Sequence, residues 1–287
     1  MKRNAIILAA GISSRFVPLS AEIPKGLLEV KGEILIERQI SQLQDSGIED
    51  ITIVTGYKSE KFEYLRERFN VGLIYNEDYQ RYNNTSSIIR VLDKLNNTFI
   101  CSSDNYFPLN IFKDSPLESF YCALYASGAT SEYSLSTDSS DYIRNVSIGG
   151  QDSWYMIGPA YFSQEFSTIF KEILQKEYHK ENVRKSYWED VYVRHIKALP
   201  KMKIRRCDDH EIEEFDSLDD LRKFDMTYIS DTRSSVVKDL ARKLSCEESS
   251  LSRFKNIPHE GSYLLFSFLK NGEEYEYNEY SGQVKPL

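Results

Sequence analysis

The chain has 287 residues, 41% of them hydrophobic and 13% aromatic, enough for one large α/β domain or for one domain plus an appendage. A net charge of −8 argues against nucleic-acid binding, which wants a basic face, and leaves any phosphorylated substrate to local cations. Cys101, Cys122, Cys207 and Cys246 stand far apart with no C-x-x-C, which indicates neither a zinc site nor a disulfide framework.

The first element is the apolar run Ile6-Ile7-Leu8-Ala9, which reads as a buried strand. This apolar run is too short for a signal peptide and no run of about 18 apolar residues appears, so a cytoplasmic protein without a membrane partner is expected. The strand ends in Ala9-Ala10-Gly11, small residues that let a ligand approach the backbone. Ser13, Ser14 and Arg15 follow, then Pro24-Lys25. Free N–H groups can cradle phosphates, and Arg15 and Lys25 supply neutralising charge, which suits a nucleoside triphosphate. The alternative is a tight turn with two surface cations. The string is neither a Walker A loop nor the dinucleotide G-x-G-x-x-G.

Leu27–Val30 reads as extended, Ile34–Ser46 as a helix stopped by Gly47, and Ile51–Val54 as a strand followed by Gly56-Tyr57. Ser59 is expected to cap a helix to Phe69, and Val71–Tyr75 is a third strand. This alternation predicts a Rossmann-like, mostly parallel sheet with helices on both faces. Ligands would sit at the strands' carboxyl ends, where Gly11, Gly56 and Asn76 fall. Asn83 and Asn84 are either turn and cap residues or readers of a base edge, just before a helix expected over Thr85–Leu95. Thr98–Cys101 is a fourth strand. Ser103-Asp104-Asn105-Tyr106 follows it, so Asp104 is either a turn residue or a Mg²⁺ ligand beside phosphates.

A short helix is expected over Asn110–Ser119, then four strands, at 120–125, 133–137, 142–148 and 154–162, forming a small acceptor subdomain. Glu165–Tyr178 is an amphipathic helix, and Tyr187–Tyr192 opens another. Strands follow at Lys203–Arg206 and Glu211–Phe215. Ser217 caps a helix whose first turn explains Asp219 and Asp220, but not Asp216, which ends the strand before it. The expected domains are 1–226 and an α+β appendage, 227–287, with a helix over Ser234–Leu244 and a hairpin of Ser262–Leu269 and Glu273–Tyr277 around Asn271-Gly272.

Residues 4–225 resemble the bacterial CTP:phosphocholine cytidylyltransferases of the sugar-nucleotidyltransferase superfamily, most specifically at Leu8–Lys25, Tyr82–Ser86, Asp104–Tyr106 and Glu214–Ser217. The chain departs from that pattern at Ser13, where most of the family has Gly, a residue tolerant of positive φ. The resemblance implies CTP plus a small phosphorylated acceptor, with Mg²⁺ on Asp104 and Asp216 and catalysis by Lys25 at the α-phosphate and Arg15 at the β,γ-phosphates. The nucleotide would lie along Leu8, Ala9, Ala10, Gly11, Gly56, Tyr57, Asn83, Asn84, Ser86 and Ser103. A quaternary ammonium would be held by rings and a carboxylate. Tyr133, Trp154, Tyr161, Tyr187 and Trp188, with Asp190 or Glu189, are the candidates, unless they are packing residues. Relatives carry Trp at the position of Tyr133 and an aromatic pair with Trp at Tyr161-Phe162. This changed cage argues against choline itself, and phosphoethanolamine, an aminoalkylphosphonate or another small phosphoryl acceptor would fit a more polar pocket. Two alternatives are a sugar-1-phosphate nucleotidyltransferase and a non-catalytic nucleotide-binding protein. The tail distantly resembles the start of a choline-kinase-type N-lobe. Its other reading is a docking appendage that would make a homodimer.

Overall fold

The computed structural model describes residues 2–260 and 263–287. The chain divides into two compact units, Met1–Gly11 with Ile36–Glu214 and Ile12–Leu35 with Phe215–Leu287. The second therefore holds the Arg15–Lys25 segment as well as the expected appendage.

The first unit is built on a seven-stranded sheet. Its strands are β1 (Asn4–Ala9), β2 (Asp50–Thr55), β3 (Gly72–Tyr75), β4 (Thr98–Ser102), β5 (Phe120–Thr137), β6 (Ile143–Phe162) and β7 (Lys203–Arg206), in the order β7-β5-β6-β4-β1-β2-β3. β1 pairs in parallel with β2 and β4, as β2 does with β3 and β7 with β5; β6 runs antiparallel to β4 and β5. The sheet is mostly parallel, as expected. After Asn4, β1 is apolar because both faces are covered. Ile6 and Ile100 face a core shared with Phe166, Phe170 and Leu174 of helix α4 (Gln164–Glu177) and Trp188 and Val191 of α5 (Trp188–His195). Alternation turns Ile7 to the opposite face. Helix α1 (Leu35–Asp45) buries Ile36, Ile40 and Leu43 at helical spacing, and Gly47 at φ +74° ends it.

Four local expectations fail. Lys58 takes the left-handed conformation, so Ser59–Phe62 is a 3₁₀ turn without a Ser59 cap, and α2 begins only at Tyr64 and runs to Phe69. The Thr85–Leu95 helix is α-helical only over α3 (Thr85–Ile88); Val91, at φ −126°, interrupts the 3₁₀ turns that follow. Residues 110–119 form no helix, while the four short strands merge into β5 and β6, of 18 and 20 residues. Gly128 and Gly149, in the gaps between the expected strands, have positive φ along a ladder whose register slips repeatedly, so they act as bulges within continuous strands.

In the second unit, Ser217 Oγ accepts from Asp220 N and caps α6 (Leu218–Phe224), and Ser234 Oγ caps α7 (Ser235–Lys243). A four-stranded antiparallel sheet follows: β8 (Leu251–Asn256), β9 (Leu265–Lys270), β10 (Glu273–Asn278) and β11 (Gln283–Pro286). Asn271 and Gly272, at φ 51° and 92°, make the expected type I′ turn. Gly261 and Ser262, at the expected start of that hairpin, lie outside the described residues. β8 and β11 were not predicted; their sequences, LSRFKN and QVKP, are mostly polar, and Arg253 bulges β8 at φ 51°. The buried Arg222 guanidinium donates to the carbonyls of Tyr228, Glu248 and Leu251 and ties α6 to β8. Among the described residues no helix is long and apolar enough to cross a membrane.

Candidate active site

The carboxyl ends of the central strands gather much of the predicted nucleotide set. Beyond β1, Ala10 O accepts from Tyr57 N at 3.1 Å, and Leu8 O accepts from Ser103 N at 3.1 Å, so the turns after β2 and β4 close on the β1 end. Gly11 is exposed with open space around it. Gly56 has a different constraint: a Cβ there would lie 2.7 Å from the Tyr79 side chain and 2.8 Å from Ala10 O. Its smallness serves this packing, and nothing in the local sequence pattern singles out Tyr79 as that neighbour. Asp104 sits part-buried on the turn after β4.

The amide stretch divides in two. Asn76 Nδ2 donates to Ser86 Oγ and Ser87 Oγ, and Ser86 Oγ donates to Asn83 O. Ser86 is fully buried, with its hydroxyl used inside the fold, so the structure does not bring it to a ligand-facing surface. Asn84 faces the other way: its Oδ1 accepts from Trp188 N at 2.7 Å at the start of α5, and its Nδ2 donates to Glu189 Oε2 at 3.3 Å.

That contact leads into a carboxylate cluster. Tyr121 OH donates to Glu189 Oε1 at 3.0 Å, and Tyr133 OH donates to Asp190 Oδ1 at 2.8 Å. Asp190 Oδ2 accepts from Tyr187 N, completing a capping box at the head of α5. Desolvation, with Asp190 adding to it, pushes the Glu189 carboxyl up to about 7, against the pull of Asn84 and Tyr121. Tyr121 lies on a strand that reads as core; its phenol needed a partner when buried, which was the available signal.

The five aromatic candidates separate. Tyr161 is 2% exposed and packs on Phe99 and Phe120, and Trp188 is 2% exposed, stacked on Tyr121 and edge-on to Phe162. Both are core residues with no free ring face, which corrects their assignment to an acceptor cage. Arg206 lies over the Trp154 ring at 5.4 Å, so an internal cation already covers one face. Tyr133 and Tyr187 remain beside the carboxylates, Tyr187 being 47% exposed.

In the second unit the charges converge. Arg15 Nη1 lies 2.9 Å from Asp216 Oδ2, and Lys25 Nζ lies 3.7 Å from Asp216 Oδ1. The Lys25 side chain is only 7% exposed and stands over the Phe16 ring, whereas that of Arg15 is 77% exposed. Ser13 adopts the left-handed conformation that its departure from Gly made costly, at φ 54° and ψ 46°. Among the described residues no group of three or more His, Cys, Asp or Glu side chains forms a metal cage. A Mg²⁺ that shares phosphate oxygens asks less, one or two carboxylates, and the hard oxygens of Asp104 in the first unit and of Asp216 in the second are each of the kind it takes.

Residues 5–110 match the MobA-like NTP transferase domain family. Across 237 residues, 81% of this chain and 96% of the relative, the sequence is 36% identical to the 2-aminoethylphosphonate cytidylyltransferase of Lancefieldella rimae. It is 31% identical to the choline-phosphate cytidylyltransferase of Streptococcus pneumoniae over 222 residues, 77% of this chain and 96% of the relative. The solved CTP:phosphocholine cytidylyltransferase of Streptococcus pneumoniae superposes with a TM-score of 0.76 at 30% identity, covering 79% of this chain and 99% of that one.

Proposed function

Because the chain belongs to the cytidylyltransferase family that these relatives represent, we propose that it transfers the cytidylyl group of CTP to a small phosphonate or phosphate carrying a primary amine. 2-Aminoethylphosphonate fits best. An acceptor oxygen attacks the α-phosphorus in line; the new P–O bond forms as the bond to the β-phosphate oxygen breaks and pyrophosphate leaves. Little covalent work falls to the protein, so positioning and charge stabilisation dominate.

Lys25 is the cation for the α-phosphate, where negative charge moves toward the leaving group, and Arg15 binds the β,γ-phosphates. Asp104 and Asp216 are the carboxylates that the resemblance implies as Mg²⁺ ligands. The metal, when bound, neutralises phosphate charge and so lowers repulsion against the incoming oxygen.

The observation that carries the acceptor choice is the Tyr133–Asp190 and Tyr121–Glu189 pairing. A quaternary ammonium has no N–H to donate and is best held by ring faces. A primary ammonium has three donors and matches carboxylates already oriented by tyrosine hydroxyls. Pyrophosphate release with Mg²⁺ tests this, the four nucleoside triphosphates being crossed with 2-aminoethylphosphonate, phosphoethanolamine, phosphocholine and glucose-1-phosphate. Release with CTP and the two primary amines, well above phosphocholine, is expected. A preference for phosphocholine would remove the carboxylate argument, and turnover of glucose-1-phosphate would remove the acceptor class.

A further inference from the structure

One carboxylate, Asp216, carries two cations on separate oxygens: Arg15 on Oδ2 and Lys25 on Oδ1. These are the two cations assigned to the triphosphate, and Asp216 is the carboxylate assigned to the metal. Phosphate competes with Asp216 for both cations, and a metal competes with both cations for Asp216, so each arrival weakens the pairs that stand without it.

The exchange is cheap at one end and guided at the other. The Arg15 side chain is 77% exposed and that of Asp216 43%, so this pair is strongly screened and easily released. Lys25 has little freedom to move, being 7% exposed and set over Phe16. Its longer 3.7 Å separation from Asp216 leaves it short of a tight hydrogen-bonded pair. Lys25 is thus held at its post, while Arg15 is held by an exposed ion pair that a phosphate can replace. Resting on the CTP reading above, we propose that Asp216 is a positioning residue with two successive sets of partners. It holds Arg15 and Lys25 first, then yields them to the triphosphate as it takes the metal, so that CTP and Mg²⁺ bind interdependently.

The sign of one measurement separates this from a purely structural role. CTP affinity is measured by calorimetry for the full chain and for Asp216→Asn, in EDTA and in excess Mg²⁺. Removing the competing carboxylate should tighten metal-free CTP binding by roughly 3- to 10-fold, while the gain that Mg²⁺ confers on the parent protein shrinks. A structural role predicts weaker binding under both conditions, and unchanged or weaker binding in EDTA overturns the proposal. Arg15→Gln, at an exposed position, supplies the second variant: in that background the gain from Asp216→Asn should fall, because one displaced partner is already gone. A full gain there would also overturn it. If the parent protein binds no CTP even with Mg²⁺, the nucleotide reading itself fails, and this proposal falls with it.

Discussion

Two groups of charges in this molecule are built on opposite terms. Around Asp216 the partners are cations and the setting is wet: Arg15 is mostly exposed and the carboxylate half-exposed. At the head of α5 the partners are neutral donors, Tyr121, Tyr133, Asn84 and the Tyr187 amide, and Glu189 is desolvated enough for its carboxyl to rise to about 7. Exposed ion pairs cost little to break and suit a site that must exchange partners with phosphates. Carboxylates fixed by neutral hydroxyls keep most of their charge unspent, and burial makes them expensive to leave without a cation. They suit a site that selects one. The first group reads as transfer machinery and the second as acceptor selection.

The strongest way to break this division is to separate turnover from acceptor binding. Lys25→Met should lower kcat by about 100- to 1,000-fold, the usual cost of losing one preorganised charge at a reacting centre, with the KM for acceptor little changed. Steady-state pyrophosphate release over a range of acceptor concentrations gives both values. Asp190→Asn should do the reverse, raising the acceptor KM by roughly 10- to 100-fold as one charged contact is lost, with kcat held within a few-fold. If both variants changed the same parameter, the two groups would not have separate tasks.

The pH dependence sharpens the comparison further. The Glu189 carboxyl is raised from 4.5 to about 7 in the fold. Between those values the folded protein holds a proton that the unfolded chain has lost. Stability from this group is therefore greatest at low pH and falls as pH rises toward 7, by up to about 1.4 kcal/mol per unit. An ammonium ligand favours the ionised form, so the acceptor KM should fall as pH rises through 7. Glu189→Gln should flatten both curves, which chemical denaturation and acceptor titration between pH 5 and 8.5 would follow. A pH-independent KM in the parent protein would place the ammonium elsewhere.

How much of this was legible in the sequence depended on distance along the chain. Local signals worked: the strand at Ile6–Ala9, the Ser217 cap and the Asn271-Gly272 turn each rest on a few adjacent residues. Pairing across the sheet was not legible, because Gly128 and Gly149 look alike whether they end a strand or bulge one. Among site residues, Arg15, Lys25 and Asp216 were named through the resemblance, and the structure shows them paired. The aromatic residues were harder, since alternation says that a ring faces inward but not whether it meets core or ligand. Tyr161 and Trp188 met core, and Tyr121, unnamed, met Glu189.

The smallest expected effect concerns the loop that carries Arg15. Ser13, at φ 54° and ψ 46°, sits where an L-residue pays about 1–2 kcal/mol relative to the right-handed conformation and glycine pays almost nothing. Ser13→Gly also loosens the unfolded chain, which costs about 0.4–1 kcal/mol. The difference favours the variant by about 0.8 kcal/mol, visible as a small rise in the urea midpoint with an unchanged slope. Ser13→Ala keeps the Cβ and should show no such gain. Ser13 N-caps the 3₁₀ turn that carries Arg15 without any side-chain hydrogen bond to it, so the hydroxyl contributes no cap that the variant would lose. A destabilised Ser13→Gly would mean that the stiffness of this residue, rather than its strain, is what the fold uses to hold Arg15 against Asp216.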